Sequence, residues 1–301
     1  MVDSKQQWKA WLYLAPAIVL LLVFTVWPII NTVRLAFLEG YNALEATWGA
    51  TYEIGIGNFL EVLDYDDFTT CVVNTIVLTF LTVPVSTVLA LLIAVALNSI
   101  KPLQKFLQTI FFLPYVTNTL AVGLVFMILF NPTDYTDGLV NLMLGLLGIS
   151  PVDFIDGPYW AKMLVLCVYT IWIVMPFKIL VLTSALASVK QDYYNAARVD
   201  GTSKWRIFKI ITLPMISPTM FYLIITGFIG AFKEYSDAVA LFGTDLNAAK
   251  MNTIVGYIYD MLYGDGGGYP SFASAAAVIL FAIVLTITTI NLMVSRKKVH
   301  Y

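Results

Sequence analysis

Six apolar runs, each long enough to cross a bilayer, decide most of what this chain can become. They occupy residues 11–37, 69–97, 106–130, 161–186, 215–242 and 272–294. A transmembrane helix needs about 20 mostly apolar residues. In hydrocarbon every backbone N–H and C=O must be satisfied within the protein, and a helix does this inside one segment. The predicted fold is therefore an all-α integral membrane protein, one domain over residues 1–301 with six spans. Composition agrees: 12% of the residues are charged, against about 25% in soluble domains. The first run is longer than the apolar part of a signal peptide, about 7–15 residues, and ends in Trp27-Pro28 rather than a small-residue cleavage site. It is expected to stay as a span. Pro84, Pro114 and Pro176 lie inside runs and predict kinks. Residues 138–147 read as a short interfacial helix, whereas 38–68 and 243–270 read as loops.

Charge sets the orientation. Lys5, Lys9, Lys101, Lys105, Lys190, Arg198, Lys204, Arg206, Lys209, Arg296, Lys297 and Lys298, 12 of the 17 Lys and Arg residues, fall on the side of the termini. The opposite loops carry mostly Asp and Glu. The positive-inside rule then makes both termini and the loop 187–213 cytoplasmic. Cys71 and Cys167 sit in apolar runs and read as buried thiols. The one histidine, His300, is next to the C-terminus, so no His-based metal or catalytic site is expected. No GxxxxGK[ST] loop is present, so ATP binding by a P-loop in this chain is not expected. No resident cofactor, metal or nucleic-acid partner is expected.

Charged side chains inside spans are costly and mark pathways or partner contacts. Lys178 follows Pro176-Phe177 in the fourth run, and Phe232-Lys233-Glu234-Tyr235-Ser236-Asp237 interrupts the fifth. On a continuous helix Gly227, Gly230, Glu234 and Asp237 share a face. Lys233 and Glu234 would point about 100° apart, so both cannot face lipid. Two readings stay open: these groups line a solute path, or Lys178, Lys233 and Glu234 are structural and neutralise one another or sit near the outer interface. Asn118, Tyr169 and Trp172 are polar or aromatic positions within runs. They either meet a solute or pack between helices.

The stretch 193–214, YYNAARVDGTSKWRIFKIITLP, is a polar interruption with four cations, Arg198, Lys204, Arg206 and Lys209. It reads as two short helices joined at Gly201. Asp192 is placed to cap the first, and Thr202 or Ser203 the second. Pro214 suits the first turn of the next span. Ala196-Ala197, Gly201, Ile211 and Leu213-Pro214 at these spacings resemble the EAA signature of importer-type ABC permeases, with Asn195 where that family has Glu. Asn58-Phe59, Asn74-Thr75, Phe111-Phe112-Leu113-Pro114, and Asn131-Pro132 with Gly138 and Asn141 resemble the sugar permeases of the maltose and glycerol-phosphate group.

The resemblance implies a type I importer permease in a bacterial cytoplasmic membrane, working by alternating access. Its loop helix would dock on an ATPase through Asn195, Ala196, Ala197, Asp200, Gly201, Ile211, Leu213 and Pro214. The implied partners are a second, related permease (a heterodimer is expected), two ATPase subunits holding ATP and Mg, and an extracellular solute-binding protein. It also places the middle of the fifth run along a sugar or oligosaccharide path, to which Phe232, Lys233 and Tyr235 would belong with Lys178 and Glu234. Rival readings are a permease for another solute, such as glycerol phosphate or an acidic saccharide, and an ion-coupled secondary transporter.

Overall fold

The structure, a computed structural model, describes residues 7–41, 52–100, 104–131, 138–264 and 268–298. Lys5, Lys101, Pro132 and His300, named above, lie outside the described residues. Apolar sequence becomes helix throughout. Among the described residues there is no β-strand, only one antiparallel bridge between Leu38 and Ile54.

The elements follow the apolar runs in order. The first run forms α1 (Gln7–Leu21), a π-helical turn (Leu22–Val26) and α2 (Trp27–Ala36). The π turn precedes Pro28, which has no N–H to donate and whose ring would collide with the carbonyl four residues back. Widening the ladder there lets the helix continue. Next come α3 (Gly57–Asp64) and α4 (Asp66–Ser99). The third run gives α5 (Gln104–Val116) and α6 (Thr119–Phe130), followed by α7 (Gly138–Leu146) and α8 (Tyr159–Ser188). The polar stretch forms α9 (Gln191–Val199), α10 (Lys204–Ile207) and a second π turn (Phe208–Thr212), again just before a proline, Pro214. The fifth run gives α11 (Leu213–Ala231) and α12 (Ser236–Phe242); α13 (Ile254–Tyr263) and α14 (Pro270–Lys298) complete the chain.

Five helices are long and apolar enough to cross a membrane, and α5 with α6 makes a sixth span if the bent pair is taken together. The chain divides into two units: Met1–Thr69 with Tyr257–Phe281, and Thr70–Gly256 with Ala282–Tyr301. In the first unit, the most apolar stretch of Trp8–Ala36 buries nothing, as suits a helix whose surroundings are lipid. In the second unit, one apolar cluster joins α4, α6, α8 and α12 around Leu78, Leu166, Tyr169 and Leu241. Another joins α4, α8 and α11 around Ala94, Ile179, Leu182 and Leu223.

Two predicted continuous helices are broken, and in both cases a polar side chain caps the helix that follows the break. The third run bends by 97°, not at Pro114, which lies inside α5, but at Asn118. Asn118 is extended and its Oδ1 accepts from the N–H of Ala121 at 3.3 Å. A side-chain cap of this kind restarts a helix in a new direction. The fifth run ends at Ala231, and Glu234 Oε1 accepts from the N–H groups of Tyr235 at 3.0 Å and Asp237 at 2.8 Å. The carboxylate thereby caps α12. Lys233 and Glu234 are therefore not successive residues of one helix, and the shared helical face of Gly227, Gly230, Glu234 and Asp237 does not form. By contrast, α4 and α8 continue through Pro84 and Pro176.

The expected loops also hold structure. In the first unit, α3 stands within residues 38–68. Asn58, buried, donates from Nδ2 to Ala36 O at 3.0 Å and Leu38 O at 2.9 Å, fixing α3 against the end of α2. In the second unit, Asn74 of α4 donates from Nδ2 to Lys250 O at 3.1 Å and Asn252 O at 2.9 Å, and its Oδ1 accepts from Tyr159 Oη at 2.9 Å. One asparagine inside a span thus holds the chain segment that follows α12.

Candidate functional site

Two places in the second unit assemble polar groups from separate elements. The first is a cavity of about 270 Å³ between α4, α8 and α11. Its floor is the Lys178 side chain, only 4% exposed. The ammonium donates to Ser86 Oγ at 2.6 Å, Thr87 Oγ1 at 2.9 Å and Val83 O at 3.3 Å. Ser86 and Thr87 in turn donate to Thr82 O and Val83 O one turn back. A buried cation needs such partners, because desolvation without them costs several kcal/mol. No ion pair connects Lys178, Lys233 and Glu234 among the described residues, so mutual neutralisation is not what keeps these charges in place.

Glycine shapes the wall. A Cβ on Gly227 would lie 3.1 Å from Val83 Cγ1 and 3.5 Å from Lys178 Nζ. The missing side chain is what lets α11 approach α4 and leaves room above the lysine. Gly230, Glu234 and Thr170 complete the polar side of the cavity, with Tyr115 and Phe177 opposite. The rings of Tyr115 and Phe177 stack at 5.8 Å. Thr82 also lines the cavity and is buried, and its Oγ1 has no hydrogen-bond partner among the described residues.

Of the residues singled out in the sequence, Lys178, Gly227, Gly230 and Glu234 meet in this cavity. The others do not. Trp172 lines a separate cleft with Phe126 and Thr117. Tyr169 is fully buried and donates from Oη to Thr119 O at 2.6 Å, holding the start of α6. Asn118 is the cap described above. Phe232 is fully buried, Lys233 is exposed, and Tyr235 packs on the apolar cluster. Asp237, 3% exposed, accepts from Thr170 Oγ1 at 2.8 Å and supports the wall without lining it. Residues missed in the sequence are the hydroxyls Thr82, Ser86, Thr87 and Thr170. Thr82 and Ser86 stand four apart within an apolar run, a spacing that puts both on one helix face and was legible.

The second place is the helix pair α9–α10. Residue Gly201 has φ +67°. Thr202 N donates to Ala197 O at 2.9 Å and Gly201 N to Arg198 O at 3.0 Å, the paired bonds of a Schellman motif with glycine at its left-handed position. Ser203 caps α10 by accepting from Arg206 N at 3.4 Å. Asp192 does not cap α9: it lies inside the first turn, and the cap position is Lys190. Tyr194 Oη lies 3.2 Å from Thr212 Oγ1, tying α9 to the second π turn. Asn195, Ala196 and Asp200 are exposed, while Ala197 is buried. Beside them Trp205 is 71% and Val199 87% exposed. Ile211 lines a groove with Tyr193, Ala196 and Arg206. Leu213 and Pro214 instead open α11, and Leu213 packs on the core. The predicted residues therefore split into an exposed face on α9 and a structural hinge at its end.

Long apolar helices, a cavity among them with a buried lysine in its lining and an exposed helix pair define a multi-pass membrane transport subunit. Residues 86–299 match the binding-protein-dependent transport system inner membrane component family, and the chain belongs to it. The chain is 29% identical over 290 residues to the lactose transport system permease protein LacF of Rhizobium radiobacter, covering 95% of this chain and 92% of that protein. It is 28% identical over 288 residues to the trehalose/maltose transport system permease protein MalF of Thermococcus litoralis, covering 95% and 93%. Its fold matches a chain in the crystal structure of a bacterial ABC transporter involved in the import of the acidic polysaccharide alginate. There the TM-score is 0.80 at 26% identity, covering 97% of this chain and 96% of that one. This protein is thus a transport subunit rather than an enzyme, an inner-membrane component that works with a binding protein.

Proposed function

We propose that this chain is one permease subunit of an ATP-driven ABC importer that moves a sugar or oligosaccharide by alternating access. The observation that carries the substrate path is the cavity in which Lys178, Gly227, Gly230 and Glu234 meet. Its volume, about 270 Å³, falls just below the range for ligand sites, which begins at about 300 Å³. A saccharide therefore needs the helices to part, as alternating access requires, and a second permease to supply the facing wall. The names of the relatives support a saccharide over other solutes. The ion-coupled reading leaves the family membership without a role.

In the assembly we propose, a second, different permease pairs with this chain, and two ATPase subunits bind ATP and Mg. The α9–α10 pair docks on one of them through Asn195, Ala196, Asp200 and the neighbouring apolar groups. The cation count supports placing both termini and this pair in the cytoplasm.

The test is ATP-dependent uptake in proteoliposomes of the full importer, with neutral and acidic oligosaccharides in competition. Glu234→Gln keeps an oxygen for the two cap hydrogen bonds, removes the charge and puts an NH2 donor in place of Oε2. Lys178→Met removes the cation while Ser86 and Thr87 keep their own acceptors. We expect both to change uptake or solute preference at wild-type expression, whereas Lys233→Met, outside the cavity, transports normally. Uptake driven by an ion gradient without ATP would refute the importer reading. Normal uptake by both cavity variants would refute the path.

A further inference from the structure

In the first unit, a cavity of about 390 Å³ lies between α3, α13 and the start of α14. Aromatic rings make most of its wall: Tyr65, Tyr257, Tyr269 and Phe272, with the Glu61 carboxylate among them. Tyr257 is buried and held edge-on to Phe68 at 5.0 Å. Tyr269 stacks on Phe272 at 5.7 Å. Tyr65 and Tyr269 are exposed at the rim, as is Glu61.

The walls are fixed before anything binds. Gly268 N and Tyr269 N both donate to Met261 O at 3.1 Å. Ser271 Oγ donates to Tyr41 O at 2.9 Å. Glu39 Oε1 accepts from Gly57 N at 2.6 Å, and Asn58 ties the same end of α3 to Ala36 and Leu38 as described. A preformed cage loses little entropy on binding.

Charge says what fits it. Segments 38–69 and 257–269 carry seven and two carboxylates and no Lys, Arg or His. Rings present a negative face, and a cation over such faces beside a carboxylate gains both cation–π and charge-assisted hydrogen-bond energy. The one charged group in the lining is a carboxylate, and the lining holds no cation that would compete for it. We propose that this cage receives a Lys or Arg side chain of the importer's solute-binding protein, anchoring it on the outer surface. The inference rests on the topology proposed above.

The importer is reconstituted in nanodiscs, and the Kd of its purified solute-binding protein is measured by biolayer interferometry at low and high NaCl. Glu61→Gln and Tyr269→Ala are each expected to weaken binding about tenfold, with the wild-type affinity falling as salt rises and the Glu61→Gln affinity less so. Basal ATPase activity without binding protein should be unchanged in both, since neither residue lies in the cavity or the α9–α10 pair. Unchanged Kd in both variants overturns the proposal. Loss in Tyr269→Ala alone, independent of salt, means an apolar occupant and also overturns it. Nanodiscs of phosphatidylglycerol alone are compared with nanodiscs containing phosphatidylethanolamine. A cage effect seen only with phosphatidylethanolamine assigns it to the lipid ammonium instead. Ethylguanidinium, titrated against tyrosine fluorescence, probes the cage without any binding protein. Saturable quenching lost in both variants supports a cation site even if the transport reading fails, and no saturable quenching refutes the cage.

Discussion

Replacing Gly201 with valine separates backbone conformation from side-chain contact at the proposed ATPase-docking element. A Cβ built on Gly201 meets nothing within 4 Å, so the substitution creates no clash. The whole cost is the left-handed backbone at φ +67°, about 1–2 kcal/mol for an L residue. A free loop relaxes by leaving that conformation, giving up the Thr202–Ala197 and Gly201–Arg198 bonds and with them the angle between α9 and α10. Docking then has to restore it, and the strain falls on the docked state. At 1.4 kcal/mol per tenfold, ATPase-subunit association should weaken about 5- to 30-fold. Gly201→Asn is the control, because asparagine tolerates this region, and it should bind within about threefold of wild type. Association is measured by titrating ATPase subunits onto permease in nanodiscs, with insertion checked by expression. Wild-type association by Gly201→Val would refute the reasoning. Equal damage by valine and asparagine would show that φ is not the cause.

Three further outcomes follow from the packing and the topology. Gly227→Val should abolish uptake without loss of expression, because its side chain would fill the space over Val83 and Lys178, while Gly230→Ala, with nothing within 4 Å of a Cβ, should transport; normal uptake by Gly227→Val would remove the cavity from the path. Thr170→Val leaves the buried Asp237 carboxylate without its 2.8 Å donor and should cost about 1–3 kcal/mol, read as a lowered Tm in detergent; adding Asp237→Asn should recover part of it, and an unchanged Tm for Thr170→Val would refute the assignment. In a background lacking Cys71 and Cys167, Thr202→Cys should be shielded from an impermeant thiol reagent in intact cells and Tyr263→Cys, 72% exposed, should react; the reverse pattern would invert the topology.

Sequence alone determined the spans, because the energy of putting apolar residues and an intact hydrogen-bond ladder into lipid depends on each segment by itself. The Gly201 turn and a cap at Thr202 or Ser203 were legible for the same reason, both being settled within a few residues, and the structure selects Ser203. So was the helix 138–147, found as Gly138–Leu146. Lys178 and Glu234 were recognisable as suspects because charge in a span is conspicuous. Tertiary structure alone decided their surroundings. Lys178 is held by α4 hydroxyls roughly 90 residues away, and no local pattern announces that partnership. The breaks at Asn118 and Glu234 were missed because each side chain had two outlets, a helix face or a cap. Packing of the segments on either side chose the cap. The same break removed Asp237 from the cavity and gave it to Thr170, whereas Trp172, on the unbroken α8, lines another cleft. Helical periodicity says which residues share a face only while the helix continues, and where it stops is a property of the assembled bundle.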